Sequence, residues 1–310
     1  MRPPERGATP AGFRRQLLQQ LRNEALRTGV PALRLQHRIA FEQLLARLSP
    51  DDNWVLKGGF ALEFRYGLQT RSTKDIDLRT PHEAADALDR LRNAVAVVAA
   101  EDNFSFEFGD VARELQGAPG GSLRVRVVAL VASQQFVTFH VDISSGDAIV
   151  DRPELLRGSN LLEFAGIATI TFPVYPVAQH LAEKLHAYTL RRSRENTRVR
   201  DLVDLAIIAG NEKVDADRLQ QAVEATFVAR GTHALPGHLA EPPGSGEQPF
   251  RIIASQAKTL DTAALGDGYA LAAGFWDPFL ARDVAHHVWL PALRHWVPLR
   301  GADRSSAREP

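Results

Sequence analysis

Hydrophobic and polar side chains alternate over residues 74–78, a pattern that is typical of a half-buried β-strand. In such a strand Asp75 and Asp77 lie on one face, while Ile76 and Leu78 lie on the other. Two carboxylates on one face repel each other unless a cation lies between them. The pattern therefore indicates either a metal site formed by Asp75 and Asp77 or a strand edge with two solvated acids.

The same alternation over residues 136–143 predicts a second strand with an aspartate on its polar face. Asp142 lies on that face with Thr138 and His140, opposite a row of apolar side chains. If the two strands are neighbours in one sheet, three aspartates meet above its open face. Carboxylates placed in this way can hold two Mg²⁺ ions about 3.5–4 Å apart. Asp142 can then also act as the base for an attacking hydroxyl.

Periodicity along the rest of the chain predicts an α+β protein, in which a mixed-sheet domain precedes a mainly helical domain. Further strands are predicted at 52–56, 123–131 and 164–171, and the second of these forms a hairpin with 136–143 across residues 132–135. Helices are predicted in 13–48 with a break at Pro31, over 60–66, from 81 to about 100, and after Pro176. We place the mixed-sheet domain, with its N-terminal helices, at 1–172, the helical domain at 173–300, and a disordered tail at 301–310.

Composition is that of a globular protein and excludes several kinds of site. The chain has 310 residues, of which 45% are hydrophobic and 24% charged, and it has no apolar run long enough to span a membrane. The N-terminus lacks the apolar core of a secretion signal. Because the chain contains no cysteine, disulfides, thiolate metal sites and cysteine nucleophiles are excluded. We therefore expect a cytoplasmic protein without membrane contact.

The net charge is zero, but the arginines are unevenly distributed along the chain. Residues 1–47 contain nine arginines and three glutamates, and a second basic stretch runs from Arg191 to Arg200. Local basic patches can bind nucleic acid on an otherwise neutral protein. The alternative is that these are solvated, arginine-rich helices.

The segment Lys57-Gly58-Gly59 precedes one of the predicted helices. Glycines let backbone amides approach a ligand closely, and the N-terminus of a helix attracts phosphate. The segment therefore predicts a phosphate-binding loop. The alternatives are an ordinary turn at the glycines and a solvated strand end at Lys57.

In the predicted helical domain, Lys184 falls within the apolar stripe of its helix. A lysine in this position needs an anion, such as a nucleoside triphosphate, or else snorkels or forms an internal salt bridge. Residues 200–208 are apolar nearly all round and predict a buried helix, on which Asp201 and Asp204 share a face. Buried acids need partners, which Lys184 or Arg200 can supply. The two aspartates thus serve either to position the lysine or as a purely structural ion pair.

These motifs, in this order, resemble the AbiEii/MenT toxin branch of the DNA polymerase β-like nucleotidyltransferases. The resemblance covers residues 54–208, with fifteen residues between Gly59 and Asp75. It implies a polymerase β-like nucleotidyltransferase domain followed by helices. It also implies roles for individual residues. The nucleotide-binding residues would be Lys57, Gly58, Gly59, Thr73 and Lys184, and Lys184 would also be the active-site lysine. The metal ligands would be Asp75, Asp77 and Asp142. The downstream aspartate of the site would be Asp204 or Asp201, with Arg200 in support.

The resemblance further implies an activity. Such a protein is the toxin of a toxin–antitoxin pair and transfers a nucleoside monophosphate from an NTP to the 3′ end of tRNA, which blocks aminoacylation. Two Mg²⁺ ions, an NTP, tRNA and an antitoxin protein are the implied cofactor, substrate and partners. Two alternatives remain open: a nucleotidyltransferase that modifies a protein hydroxyl or a small molecule such as an aminoglycoside, and a binding protein without turnover.

Thr73 lies two residues before the first metal aspartate of the motif. Phosphorylation there would add roughly two negative charges beside the nucleotide and its metals. Thr73 is therefore a candidate regulatory phosphosite, and the alternative is an ordinary hydrogen-bonding hydroxyl.

Overall fold

A computed structural model of the protein describes residues 9–96, 103–114, 121–190 and 198–299. The α-helices in these ranges are α1 (Pro10–Thr28), α2 (Ala32–Leu48), α3 (Gly58–Tyr66), α4 (Ala84–Ala96), α5 (Val177–Thr189), α6 (Val199–Asn211), α7 (Ala216–Arg230), α8 (Glu247–Ala254) and α9 (Leu265–Leu280). The strands are β1 (Val55–Lys57), β2 (Asp75–Thr80), β3 (Phe104–Glu114), β4 (Ser122–Val131), β5 (Gln134–Ser145), β6 (Glu154–Arg157), β7 (Thr171–Val174), β8 (Val214–Asp215), β9 (His287–Leu290) and β10 (His295–Pro298). The predicted tail at 301–310 lies outside the described residues.

The chain divides into two compact units. The sheet unit takes its described residues from Met1–Leu68, Ser72–Asp147 and Pro153–Tyr175. The helical unit takes its described residues from Gln69–Arg71, Ala148–Arg152 and Pro176–Pro310. Two short segments of the first half of the chain therefore belong to the helical unit. A single boundary at residue 172 would assign them to the sheet unit.

The sheet unit contains a mixed seven-stranded sheet in the order β3-β4-β5-β2-β1-β7-β6. The central strand β2 runs parallel to β5 and antiparallel to β1, while β5 and β4 form an antiparallel hairpin. Burial alternates along β2, with Ile76 and Leu78 fully buried, as the period of two predicts. The mixed sheet and its central strands are thus as expected from the sequence.

Aromatic side chains fix the helices to one face of this sheet. Phe41 of α2 meets Phe60 of α3 edge-on at a centroid distance of 4.8 Å and Phe139 of β5 at 4.9 Å. Each of these rings is almost completely removed from water, which stabilises the unit by about 1.5–3 kcal/mol per side chain. Because the apolar face of the sheet is covered in this way, the polar face is the one that carries the aspartates.

Three local predictions about the sheet unit need correction. Residues 164–171 do not form a strand, because a short 3₁₀ turn there ends at Gly166 with a φ of +72°, and β7 begins only at Thr171. The hairpin turn is shorter than predicted, since only Ala132 and Ser133 lie between β4 and β5, both with positive φ. Strands β3 and β6 were not predicted, and β3 is interrupted by a bulge at Phe108–Val111 that breaks its alternation.

The helical unit contains a small sheet as well as helices. As predicted, α6 is buried along nearly its whole length, from Asp201 to Ala209. The short strands β8, β9 and β10 form a three-stranded sheet that the sequence analysis missed. Trp289 and Trp296 on these strands each donate a hydrogen bond to a backbone carbonyl, at 2.7 Å and 2.9 Å, so their polar ends are satisfied inside an aromatic core. No helix in the described part of the chain is long and apolar enough to cross a membrane.

Candidate active site

The polar face of the large sheet brings the three predicted aspartates together. In the parallel register of β2 and β5, Asp77 lies directly opposite Asp142, and Asp75 lies directly opposite His140. Paired residues on neighbouring strands point to the same face. The expectation that the two strands are neighbours is therefore confirmed, while the catalytic roles of the aspartates stay predictions.

The register extends this arrangement into a charged row across four strands. Arg124 of β4 pairs with Asp142, Asp142 with Asp77, and Asp77 with Lys57 of β1. Two carboxylates thus lie in the middle of the row, and one cation lies at each end. A second row, one pleat further along, contains Arg126 of β4 beside the His140–Asp75 pair.

Arg124 contacts two of these carboxylates, and the sequence analysis did not single it out. Its Nε donates to Asp142 Oδ1 at 2.7 Å and its Nη2 to Asp142 Oδ2 at 2.6 Å. The same Nη2 lies 3.7 Å from Asp75 Oδ2. On its other side, Asp75 Oδ1 lies 3.3 Å from His140 Nδ1. Because residues 123–131 were predicted to be a strand, the polar position of Arg124 between Leu123 and Val125 was the signal that could have found it.

Gly58 allows the start of α3 to lie against Asp77. Its φ is +67°, in the left-handed region that favours glycine, and a Cβ atom there would overlap the Asp77 carboxylate. Gly59 is the next residue of the helix and is buried. The N-terminus of α3 thus lies beside the carboxylate row, so the glycines form more than an ordinary turn.

Lys57 is buried and is not a solvated strand end. Its ammonium group contacts the carboxylate of Asp147, which also accepts a hydrogen bond of 2.6 Å from Ser144 Oγ. The Lys57 ammonium lies 5.8 Å from the centre of the Tyr175 ring. Asp147 was not predicted, because it follows the end of β5 and nothing in its sequence context marks it as a partner.

Thr73 lies just before β2 and is half-buried. Its hydroxyl donates to the backbone carbonyl of Asp75 at 3.2 Å. This is the ordinary hydrogen-bonding role that was one of the two alternatives for Thr73, and it places the hydroxyl next to the first aspartate. Phosphorylation at this residue stays a prediction.

The other candidate residues form a buried charge network within the helical unit. Lys184 Nζ lies 2.7 Å from Asp204 Oδ2 and 3.1 Å from Asp201 Oδ1. Arg71 donates to both oxygens of Asp204, at 2.6 Å and 2.7 Å. Arg198 Nη1 lies 3.0 Å from Asp201 Oδ2. The aspartates therefore have the partners that their burial demands.

Two details of this network differ from the sequence analysis. Arg200, expected to support the aspartates, has an exposed side chain at the start of α6. The arginine contacts come instead from Arg198 and from Arg71, which lies 133 residues before Asp204. Of the predicted basic stretch Arg191–Arg200, residues 191–197 lie outside the described part of the chain.

The pairing determines the charge states of Lys184 and Asp204. Burial disfavours the charged form of Lys184, but the nearby Asp204 and Asp201 carboxylates outweigh that cost and raise the pKa of Lys184. Burial likewise disfavours the carboxylate of Asp204, but Arg71 and Lys184 hold the pKa of Asp204 well below its usual range. Lys184 is therefore protonated at neutral pH and can bind an anion, whereas it cannot serve as a base.

Comparison with known families identifies the protein. Residues 40–272 match the family described as the nucleotidyl transferase AbiEii toxin of type IV toxin–antitoxin systems. The chain belongs to this family. It is accordingly a toxin–antitoxin nucleotidyltransferase of the AbiEii family, as the order of its motifs had indicated.

One solved structure supports the fold of this AbiEii-family protein. The chain is similar to MenT4, a nucleotidyltransferase toxin from Mycobacterium tuberculosis H37Rv, with a TM-score of 0.54 and 19% sequence identity over 88% of this chain and 90% of that chain. It also matches a protein from H. pylori described as a nucleotidyltransferase, with a TM-score of 0.44 and 18% identity over 79% of this chain and 96% of that chain. Sequence comparison finds no match among curated proteins.

Nucleotidyltransferases generally use an NTP and a divalent metal. In this AbiEii-family protein, the carboxylates of Asp75, Asp77 and Asp142 are the candidate ligands for that metal. Within the ranges that the structure describes, no three His, Cys, Asp or Glu side chains are already arranged to hold a metal ion. The chemistry of the donors nevertheless fits, because Asp75, Asp77 and Asp142 present carboxylate oxygens, which Mg²⁺ prefers, on one face of two adjacent strands. The residues present can therefore hold a hard divalent cation beside the N-terminus of α3.

Proposed function

We propose that this AbiEii-family toxin uses Mg²⁺ to transfer a nucleoside monophosphate from an NTP to the 3′ end of tRNA. The terminal hydroxyl forms a bond to the α-phosphate, the bond between the α- and β-phosphates breaks, and pyrophosphate leaves. The transfer blocks aminoacylation. The observation that carries the proposal is the carboxylate row, in which Asp77 lies opposite Asp142 and against Gly58 at the start of α3. Oxygen ligands beside a helix N-terminus suit a triphosphate with its metal.

Each residue of the sheet unit has a role in this proposal. Asp75 and Asp77 would hold metal, and Asp142 would complete the set for two Mg²⁺ ions, which supply Lewis-acid stabilisation of the phosphoryl charge when bound. The backbone amides of Gly58 and Gly59 bind and orient the phosphates. Asp142 takes the proton of the attacking hydroxyl, and Lys57 adds positive charge at the end of β1.

In the helical unit, we assign Lys184 to the phosphates and Asp204 and Asp201 to its positioning. Support comes from the protonated state of Lys184, because only a charged ammonium group attracts a triphosphate. Asp204 holds it at 2.7 Å while Arg71 keeps Asp204 in place. This network is therefore proposed to fix the position of the lysine.

Two exposed arginines on α1 favour a nucleic acid as the acceptor. Arg15 and Arg22 are exposed and lie seven residues apart, so they share one face of the helix. Arginines on one face can bind successive phosphates, while the unpaired 3′ end of a tRNA supplies the attacking hydroxyl. A tRNA acceptor also implies that the protein acts in the cytoplasm.

Label transfer tests the proposal directly. The purified protein is incubated with Mg²⁺, total tRNA and each of the four labelled NTPs in turn. We expect the wild-type protein to label tRNA with at least one of the nucleotides. The Asp75→Asn variant should label tRNA with none of them. Absence of label from tRNA with all four nucleotides would contradict the proposal.

The same assay distinguishes the other acceptors. In the double variant Arg15→Gln/Arg22→Gln, we expect tRNA labelling to fall severalfold and to become less sensitive to salt, because two phosphate contacts are lost. Transfer to a protein or to a small molecule such as an aminoglycoside would be unaffected by this change. Label that appears in such an acceptor, and not in tRNA, would favour the alternative nucleotidyltransferase function.

Two regulatory features accompany this proposal. The type IV toxin–antitoxin family implies an antitoxin partner. We also propose that phosphorylation of Thr73 inhibits transfer, since a phosphate beside Asp75 would repel the nucleotide. Thr73→Glu should then lose activity, while Thr73→Ser should retain it. Full activity in Thr73→Glu would contradict the regulatory role.

A further inference from the structure

Arg124 engages two carboxylates at once, at the place where the proposed metal ligands converge. Its guanidinium forms a two-bond fork with Asp142 and also lies 3.7 Å from Asp75. Arginine is suited to this task because its planar fork matches the two oxygens of a carboxylate. Both oxygens of Asp142 are therefore already bound to a cation that belongs to the chain itself.

A divalent metal held by Asp75 and Asp142 would lie within a few ångströms of this guanidinium. Two cations at that distance repel each other strongly, because a metal carries two charges and the site is only partly exposed to water. The side chains of Arg124, Asp142 and Asp75 are 37%, 25% and 36% exposed, so the guanidinium can move towards solvent without unpacking the core. Arginine and metal are thus alternatives at these carboxylates.

We propose that Arg124 is an internal competitor of the divalent metal: it occupies Asp142 in the metal-free protein and is displaced from it when the metal binds. Arg124 thereby neutralises the acidic face of the sheet in the absence of metal and raises the metal concentration that the site requires. It also keeps Asp142 unavailable as a ligand or base until metal has bound. The inference rests on the metal dependence of the proposed function and is independent of the tRNA acceptor.

Metal binding without nucleotide or tRNA tests the proposal on the full chain. We expect Arg124→Gln to bind Mn²⁺ at least about tenfold more tightly than the wild type in a calorimetric titration, with each tenfold corresponding to about 1.4 kcal/mol. Arg126→Gln is the matched control, because Arg126 lies on the same strand and face two residues away and loses the same charge. If Arg124→Gln binds Mn²⁺ no more tightly than Arg126→Gln, the competition does not exist.

A second pair of variants shows whether the competition acts through Asp142. In an Asp142→Asn background, Arg124 has lost its two-bond partner and keeps only the 3.7 Å contact with Asp75, so adding Arg124→Gln should change Mn²⁺ affinity by less than about threefold. An undiminished tenfold effect in that background would overturn the proposal, as would an absence of Mn²⁺ binding in every variant. Arg124→Lys, which keeps the charge and loses the fork, should bind Mn²⁺ with intermediate affinity.

These outcomes separate the inference from the proposed function. If tRNA is not labelled but Arg124→Gln still tightens Mn²⁺ binding, the acceptor is wrong and the competition stands. If tRNA is labelled but Arg124 has no effect on Mn²⁺ affinity, the competition is wrong and the transfer reaction stands. Metal-free thermal unfolding of each variant confirms that the protein measured is folded.

Discussion

The two units of this toxin treat their charged residues in opposite ways. In the sheet unit, the row from Arg124 to Lys57 is partly exposed near Arg124, where the side chains of Arg124 and Asp142 are 37% and 25% exposed. In the helical unit, Asp204 is 0% exposed and is bound by both Arg71 and Lys184. Partners at an exposed site can be exchanged for a ligand at little cost, whereas removal of a fully buried partner leaves a charge without solvation. The first arrangement suits binding and chemistry, and the second suits rigidity.

The largest effect that this comparison predicts is a loss of activity without a loss of stability. Asp77→Asn should lower label transfer by at least about 10³-fold, because it removes a proposed metal ligand. The free energy of unfolding should change by less than about 1 kcal/mol, since the residue is partly exposed and the change relieves repulsion between carboxylates. Asp110→Asn, an exposed position on strand β3 of the same sheet, is the control and should retain activity. If Asp77→Asn is unfolded at room temperature, the predicted difference in stability effects between the two units is wrong.

In the helical unit, the main expected effect is a loss of stability. Asp204→Asn should lower the free energy of unfolding by about 3–5 kcal/mol, because Arg71 and Lys184 would be left as buried charges without a carboxylate between them. Urea titration measures this change. Asp261→Asn is the control, since its ion pair with Arg294 is exposed and should be worth less than about 1 kcal/mol. Equal effects in the two variants would show that burial does not set the difference.

The same pair makes stability depend on pH. The pKa of Asp204 is lower in the folded protein than in the unfolded chain. Its contribution to the free energy of unfolding is therefore present above the unfolded pKa of about 4 and is lost as the pH falls below that value. The pKa of Lys184 is raised, so its contribution is present below the unfolded pKa of about 10.4 and is lost only as the pH rises beyond it. Between about pH 5 and pH 9 neither group changes the stability.

A smaller effect is expected at Gly58, where the backbone of the sheet unit lies directly against the Asp77 side chain. Gly58→Ala should cost about 2–4 kcal/mol, since it combines a strained positive φ with overlap of the new methyl group and Asp77. Gly29→Ala separates the two causes. Gly29 has a similar φ of +72° and no neighbouring atom within 4 Å of an added Cβ, so only the strain of about 1 kcal/mol remains. Equal losses of stability in the two variants would rule out the contact with Asp77 as the cause.

The smallest effect concerns His186 in the helical unit. Burial, together with His233 and nearby arginines, lowers the pKa of His186 to about 4, so the folded protein keeps the ring neutral where the unfolded chain binds a proton. The free energy of unfolding is therefore unaffected by this group above about pH 6.5. It falls by about 1–3 kcal/mol as the pH drops from 6.5 towards 4. His186→Gln should flatten this part of the pH profile of unfolding. An unchanged pH profile in His186→Gln would contradict this assignment.

The carboxylate face of the large sheet was predictable because its information is local. A period of two in residues 74–78 and 136–143 assigns Asp75, Asp77 and Asp142 to polar faces without knowledge of any contact. The same period held in the predicted strand 123–131 and placed Arg124 on its polar face. Its role was missed because the fork with Asp142 depends on the register of two strands, and no single strand shows that register.

The charge network of the helical unit was only half predictable. The apolar surroundings of Asp204 showed that it needs a partner, and Lys184 was named as one. Arg71 was missed, because it lies in a loop in the first quarter of the chain and reaches Asp204 from 133 residues away. The small sheet β8–β10 was missed as well, since strands of two to four residues are too short for a period of two to be recognised.

Sequence alone determined which residues of this protein face its core, where its longest helices and central strands lie, and which motifs mark it as a nucleotidyltransferase toxin. These properties follow from side-chain hydrophobicity and backbone geometry within a few residues of each position. Tertiary structure decided which charges are paired: Arg124 with Asp142, Lys57 with Asp147, and Arg71 with Asp204. Electrostatic pairing acts through space between residues that are far apart in the chain, so the sequence names the charges and only the fold chooses their partners.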